Sequence, residues 1–133
     1  MASDATTRKM KFGNRAQNIP CTNKFTNQTF ITTQNHGYEV DRESLVKPWQ
    51  ELFVNANDGS NEGIIHTDLP YFSVQFHPEA CPGPCDTEYL FDTFVQSMIA
   101  CKGKGVGNLV KLDTIKVEMN DSRIRPKKVC SIH

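Results

Sequence analysis

The chain reads FSVQFHPE at residues 72–79, and this stretch decides the fold that we predict. Residues 72–76 alternate aromatic and β-branched side chains with polar ones, a pattern typical of a strand. The strand must end at His77-Pro78-Glu79, because proline fixes its own φ and holds the residue before it in extended conformations. In open α/β sheets, side chains at the carboxyl ends of strands emerge into a crevice. We therefore expect His77 and Glu79 to lie at a strand end that opens into such a crevice.

The spacing of His77 and Glu79 suits acid–base chemistry. A carboxylate two residues beyond a histidine, held in place by the stiff proline, can accept a hydrogen bond from one ring nitrogen. The other ring nitrogen is then left free as a base. Because the ordinary pKa of histidine is about 6.5, the ring can take and return a proton at neutral pH. The alternative is that the two residues form an ordinary surface pair.

Other parts of the chain are predicted to build the same sheet. Residues 30–34 are β-branched and aromatic and predict a strand, which runs into a turn at 35–37 whose glycine lets backbone groups approach a ligand closely. A tight turn at 57–61 predicts a hairpin over residues 51–66. Residues 10–28, rich in Asn, Gly, Pro and Thr, are predicted to be loop.

A helix is predicted to begin near Asp86, whose carboxylate can accept hydrogen bonds from the free N–H groups of a first turn. The apolar residues that follow fall on one helical face. They are Leu90, Phe91, Phe94, Met98 and Ile99. At the two ends of the chain, residues 1–8 are predicted to be a disordered N-terminus and residues 102–133 a linker and tail.

Composition excludes several kinds of partner. The chain has 15 Lys+Arg and 15 Asp+Glu, so no net charge attracts nucleic acid or an anionic membrane. No apolar stretch approaches the roughly 20 residues that span a bilayer, and the N-terminus lacks the apolar core of a signal peptide. We predict no nucleic-acid partner, no membrane partner and a cytoplasmic location. The five cysteines, an odd number, are predicted to be reduced thiols.

A zinc site and a phosphate loop were weighed as alternatives. His77, Cys81 and Cys85 are spaced four residues apart, but zinc takes four ligands, or three and a water. The Pro-Gly-Pro between the two cysteines favours a rigid loop instead, and we predict no metal. The glycines of residues 103–107 follow a predicted helix and lack the Gly-Lys-Ser/Thr ending of a phosphate loop.

Several motifs recur in the order and spacing of one enzyme family. They are KMKFGNR at 9–15, QNHGY at 34–38, NANDGSNEGI at 55–64, FHPE at 76–79, PGP at 82–84 and DTEYLFD at 86–92. Together they resemble the glutaminase region of eukaryotic carbamoyl-phosphate synthetases, which are class I glutamine amidotransferases. The resemblance covers about residues 9–100. It implies a partial domain over residues 9–101, namely the C-terminal half of an open, flavodoxin-like α/β sheet with a flanking helix.

The resemblance also implies a function. In this family a cysteine attacks the side-chain amide of glutamine, and the released ammonia passes to a synthetase domain that makes carbamoyl phosphate. By resemblance, His77 is the base of a Cys-His-Glu triad, Glu79 orients it, and Asn35, Gly37 and Tyr38 hold the substrate glutamine. The implied partners are the missing N-terminal half of the domain and a synthetase domain or subunit. ATP and Mg²⁺ would serve in that synthetase, and no cofactor is expected in this chain.

The chain departs from the family at the nucleophile. In the family the nucleophilic cysteine lies upstream of the segment matching residues 9–15, in a Gly-x-Cys-x-Gly turn, and none of the five cysteines here has such neighbours. We expect a partial glutaminase domain. The alternative is a catalytically inactive glutaminase-like module with a structural or regulatory role on a synthetase partner. The asparagine-rich turn at 55–61 and the absence of a recognisable targeting signal favour the cytoplasmic pyrimidine enzyme. The alternatives are arginine or urea-cycle synthesis, and the mitochondrial matrix.

Overall fold

The computed structural model of the chain describes residues 3–83 and 87–102, which form one sheet and one α-helix. The elements in chain order are β1 (Thr7–Asn23), β2 (Thr29–Val40), a 3₁₀ turn (Arg42–Ser44), β3 (Trp49–Asn55), β4 (Asn61–His66), β5 (Phe72–Val74) and α1 (Tyr89–Lys102). The strand order is β2-β1-β3-β4-β5. Each neighbouring pair is antiparallel.

The sheet curls until its two edges meet. β2 and β5 lie at opposite edges, yet His77, three residues beyond β5, forms an isolated antiparallel bridge with Thr33 on β2. The backbone N–H of His77 donates to the carbonyl oxygen of Thr33 at 3.0 Å. We call this Thr33–His77 contact the seam. It brings the His-Pro-Glu segment beside a strand that is distant in the sheet order.

The core is an aromatic and aliphatic cluster enclosed by the curled sheet and α1. Its buried members are Ile19, Cys21, Phe30, Leu52, Phe53, Ile65, Phe76 and Leu90. The ring of Phe53 lies edge-on to the rings of Phe30 and Phe76, with centroids 6.3 and 5.1 Å away. Each such pair contributes about 0.5–1.5 kcal/mol beyond the area that it buries. Phe76 therefore anchors the chain one residue before His77.

The predicted hairpin and strands are confirmed. β3 and β4 pair antiparallel across the turn predicted at residues 57–61, where Gly59 adopts a φ of 73°. The side chain of Asp58 accepts hydrogen bonds from the backbone N–H and the hydroxyl of Ser60, which fixes the turn. The strand predicted at 30–34 lies within β2, and the one predicted at 72–76 is shorter, ending at Val74.

The prediction of a loop over residues 10–28 is wrong for most of its length. β1 runs through residue 23 and pairs with β2 along its length and with β3 at its end. Two register shifts in the β1–β2 pairing absorb the glycine and polar residues that suggested a loop. β1 also begins at Thr7, and Ser3 and Ala5 are buried, so residues 3–8 are not the disordered segment that we predicted.

The predicted apolar face of the helix is largely exposed. Of its five residues only Leu90 is buried; Phe91, Phe94, Met98 and Ile99 are each about half exposed or more. The buried side of α1 instead carries Leu90, Thr93 and Ser97. The two hydroxyls donate to carbonyl oxygens one turn earlier in the helix, at 2.9 and 2.7 Å, which satisfies them away from water. The predicted cap Asp86 and the tail beyond residue 102 lie outside the described residues.

Candidate active site

The structure brings His77 and Glu79 together as predicted from their spacing. Nδ1 of His77 lies 3.0 Å from Oε1 of Glu79. A carboxylate only accepts, so in the neutral ring the proton resides on Nδ1 and Nε2 is the basic nitrogen. The side chains are 49% and 63% exposed, so the pair is open to a ligand from solvent. This is the geometry of a base and the group that orients it.

Electrostatics keep the orienting carboxylate ionised. Hydrogen bonds from the backbone N–H of Glu79 itself and from the His77 ring hold the pKa of Glu79 below its ordinary value. Glu79 therefore keeps its charge, and the ability to stabilise a protonated imidazole, over the whole neutral range.

Several backbone contacts hold the pair in place. Besides the seam, the N–H of Ala80 donates to the carbonyl oxygen of His77 at 3.2 Å, which closes a turn around Pro78. The hydroxyl of Thr87, just before α1, donates to the carbonyl oxygen of Pro78 at 3.2 Å. On the other side of the loop, Gly83 packs so closely on Ile31 that an added Cβ would lie 2.9 Å from its side chain. The His-Pro-Glu loop is thus tied to both β2 and the helix.

The three residues predicted to bind substrate lie on β2 beyond the seam. Asn35 is two residues past Thr33, so its exposed side chain points to the same side of the strand. Gly37 lies four residues past Thr33, about 13 Å along an extended strand, and Tyr38 follows with its ring 57% exposed. Of the three, Asn35 therefore lies nearest to the seam along β2, and Gly37 and Tyr38 lie progressively farther from it.

Comparison with known proteins identifies the family. The profile of the class-I glutamine amidotransferase family matches residues 1–97. The chain belongs to this family.

Individual relatives of this chain are similar at high identity. Multifunctional protein pyr-3 of Neurospora crassa is 63% identical over 100 residues, which are 75% of this chain and 6% of that protein. Multifunctional protein ura1 of Schizosaccharomyces pombe is 65% identical over 94 residues, 71% of this chain and 4% of that protein. The carbamoyl phosphate synthase arginine-specific small chain of Hypocrea virens is 54% identical over 102 residues, 77% of this chain and 22% of that protein. This chain therefore spans at most about a fifth of the length of these relatives.

The cysteines that the structure describes do not resemble a nucleophile. Cys21 is fully buried in β1, and burial raises the pKa of its thiol to about 12, so it remains protonated at neutral pH. Cys81 is in the loop after Glu79, and Cys101 is near the end of α1; both are half-buried. Cys85 and Cys130 lie outside the described residues. Within residues 3–83 and 87–102 no cluster of metal-ligating side chains and no membrane-spanning helix is present.

A second polar cluster, which we did not predict from the sequence, lies behind the Asn35–Tyr38 segment. His36 and Glu62 face each other, with Nε2 of the ring 3.4 Å from Oε2 of the carboxylate. Glu62 is completely buried, and the ring of His36 is only 7% exposed. The sequence pattern of β4 could not predict this contact, because β2 and β4 are not neighbours in the sheet.

Proposed function

We propose that this chain provides the base and part of the glutamine-binding surface of a glutaminase domain of the carbamoyl-phosphate synthetase type. The observation that carries the proposal is the hydrogen-bonded His77–Glu79 pair, open to solvent, in a chain of the class-I glutamine amidotransferase family. The Hypocrea virens relative is by name the small chain of a carbamoyl phosphate synthase, which supports this class of reaction.

In the proposed reaction, Nε2 of His77 takes the proton of a cysteine thiol supplied by another part of the glutaminase domain. The thiolate attacks the side-chain carbonyl carbon of glutamine, and the proton passes from His77 to the departing ammonia. Water then attacks the γ-glutamyl thioester, again with His77 as base, releasing glutamate and restoring the thiol. Glu79 keeps the ring in the tautomer that leaves Nε2 basic and stabilises its protonated form.

The substrate glutamine is proposed to lie along the open edge of β2 beyond the seam, in contact with Asn35, Gly37 and Tyr38. Asn35 is exposed on the same side of β2 as Thr33, which pairs with His77, and Gly37 leaves the backbone uncovered. Ammonia would be used by a synthetase domain or subunit with ATP and Mg²⁺, in the cytoplasm, and these partners belong to the proposal.

A chimera tests this function. The 102 residues of the Hypocrea virens small chain that match this chain are replaced by the residues of this chain, and ammonia release from glutamine is assayed. We expect an active chimera in which His77→Ala lowers kcat about 10²- to 10⁴-fold. The control is Gln75→Ala, an exposed neighbour outside the pair. An active chimera that is indifferent to His77→Ala would refute the assignment of the base.

The second candidate is a catalytically inactive glutaminase-like module that contacts a synthetase partner. Two observations favour it. The thiol of Cys21 is buried and protonated, and no cysteine of the sequence has the neighbours of the Gly-x-Cys-x-Gly turn. The same chimera separates the two functions. If residues of this chain support no glutamine hydrolysis in the presence of the relative's own upstream half, the inactive module is the better description.

A further inference from the structure

The first two residues of β4, Asn61 and Glu62, contact β2 on either side of Gly37 and Tyr38 in the proposed glutamine-binding segment. His36 contacts the carboxylate of Glu62, as described above. Three residues along, the carboxylate of Glu39 accepts a hydrogen bond from the backbone N–H of Asn61 at 2.7 Å and one from Arg8 at 2.8 Å. The short stretch between these anchors contains Gly37 and Tyr38.

This support is placed where the β1–β2 ladder is interrupted. Lys9 pairs with Tyr38 and Asn14 pairs with His36, so four residues of β1 stand opposite Gly37 alone. Regular pairing therefore cannot fix the backbone of this segment. Glu62 contacts both members of the pair at which the ladder resumes, because its Oε1 accepts from Nδ2 of Asn14 at 3.2 Å.

The ring of His36 contacts residues on both sides of it in β2. Its Nδ1 lies 2.9 Å from the carbonyl oxygen of Tyr38, and its Nε2 lies 2.8 Å from Oε1 of Gln34. The amide of Gln34 is itself oriented by hydrogen bonds from Nε2 to Thr32 and to the thiol of Cys21, both at 3.1 Å. Rotation of the ring would therefore release contacts to the residues on both sides of it.

Stability alone does not explain a fully buried carboxylate here. Burial raises the pKa of Glu62, opposed by the His36 ring and by donors such as Asn55. Buried charged pairs are often no more stable than apolar residues of the same volume. What the carboxylate does provide is a fixed orientation: Asn55 and Asn14 both donate to its Oε1, at 3.4 and 3.2 Å, and its Oε2 faces the ring of His36.

We propose that Glu62 is a positioning residue for glutamine binding: through His36 and Asn14 it fixes the backbone of residues 36–38 in the conformation that receives the substrate. The inference rests on the proposed function, since it assigns a task to the segment that we propose binds glutamine.

The first part of the test measures the conformation of the segment in the full 133-residue chain. Hydrogen exchange at low micromolar concentration is compared for the native chain, Glu62→Met, Glu62→Gln and His66→Gln. Glu62→Met removes every acceptor of the carboxylate and should speed exchange over residues 35–38 more than over 29–34. Glu62→Gln, which keeps one acceptor oxygen, should restore most of the protection.

His66→Gln is the matched control, because it also perturbs a nearly buried side chain of β4. Nδ1 of His66 accepts from the N–H groups of Asp68 and Leu69, at the end of the strand away from Glu62. This variant should leave exchange over residues 35–38 no faster than over the rest of β2. Equal loss of protection throughout β2 in Glu62→Met would mean a purely structural role and would overturn the proposal.

The second part measures glutamine use in the chimera described above. Glu62→Met should raise KM for glutamine about tenfold, the equivalent of one hydrogen bond to a charged group, with kcat changed far less. A KM that stays constant while residues 35–38 lose protection overturns the role in binding and leaves the proposed function intact. An inactive chimera without any substitution refutes the proposed function itself.

Discussion

At the scale of single residues, the hydrogen bond between His77 and Glu79 was predictable from the sequence, and the contact between His36 and Glu62 was not. His77 and Glu79 are two positions apart with a proline between them, so local geometry alone brings them to 3.0 Å. His36 and Glu62 are 26 positions apart, and their contact depends on the curling of the sheet. Nothing in the sequence around either residue signals the other.

The structure explains why residue 13 is a glycine. A Cβ at this position would lie 2.6 Å from the backbone carbonyl oxygen of His36, which cannot move without shifting β2. We expect Gly13→Ala to lower the free energy of unfolding by about 1–3 kcal/mol, as overpacking does. Gly37→Ala is the control, because there the nearest atom is the end of the Arg15 side chain at 3.6 Å. Equal effects of the two substitutions in urea denaturation would contradict this explanation.

Glu62 should also leave a mark on the pH dependence of stability. Its pKa is raised in the folded chain, mainly by burial, so the folded state binds this proton more tightly than the unfolded state. Folding stability from this group is therefore greatest below the ordinary glutamate pKa and falls as pH rises through the raised value. Glu62→Gln cannot titrate at this position. As pH rises, the native chain should therefore lose unfolding free energy relative to the Glu62→Gln variant. Denaturant titrations across that range measure it, and a difference that shifts the other way would show that the contacts to His36, Asn55 and Asn14 outweigh burial.

At the scale of elements, the strands that are marked by turn residues or by β-branched and aromatic runs were predicted from the sequence. β1, which has neither mark, was missed. The turn with Asp58 and Gly59 specifies the β3–β4 hairpin by itself. β1 contains Gly13 and Pro20, residues that ordinarily argue against a strand. Its order comes from pairing with β2, and Pro20 is tolerated because pairing with β3 begins only at Cys21. Such long-range pairing cannot be read from a local window.

The two sides of α1 should respond differently to truncation. Leu90 is 3% exposed and belongs to the core, so Leu90→Ala should lower the free energy of unfolding by about 2–5 kcal/mol. Met98 is 48% exposed on the opposite side, and Met98→Ala should change it by about 0.5 kcal/mol or less. Urea denaturation of both variants checks the assignment. A larger loss for Met98→Ala would mean that the exposed apolar residues of α1 are buried in solution.

At the scale of the whole molecule, the exposed side of α1 is an apolar surface on a chain without net charge. Its members are Phe91, Phe94, Val95, Met98 and Ile99, each 46–66% exposed. Contiguous apolar surface of this kind promotes association, and zero net charge offers no repulsion against it.

We therefore expect the isolated chain to self-associate as its concentration rises. Sedimentation velocity from low to high micromolar concentration should show the increase in mass. A chain carrying Phe94→Ser and Ile99→Ser should remain monomeric over the same range, whereas Phe12→Ser, an exposed aromatic on β1, should not change the association. A native chain that stays monomeric throughout would show that this surface is compatible with water.

The seam also affects the local opening motions of the protein. Thr33 and His77 are separated by 44 positions, and the contact joins the two outer strands of the sheet. Parts of a fold with few buried apolar contacts and exposed backbone hydrogen bonds open most readily in native fluctuations. Each such opening would move His77 away from β2, and each closing would restore their contact. The exchange lifetime of the His77 amide proton thus reports how long the contact persists between one opening and the next.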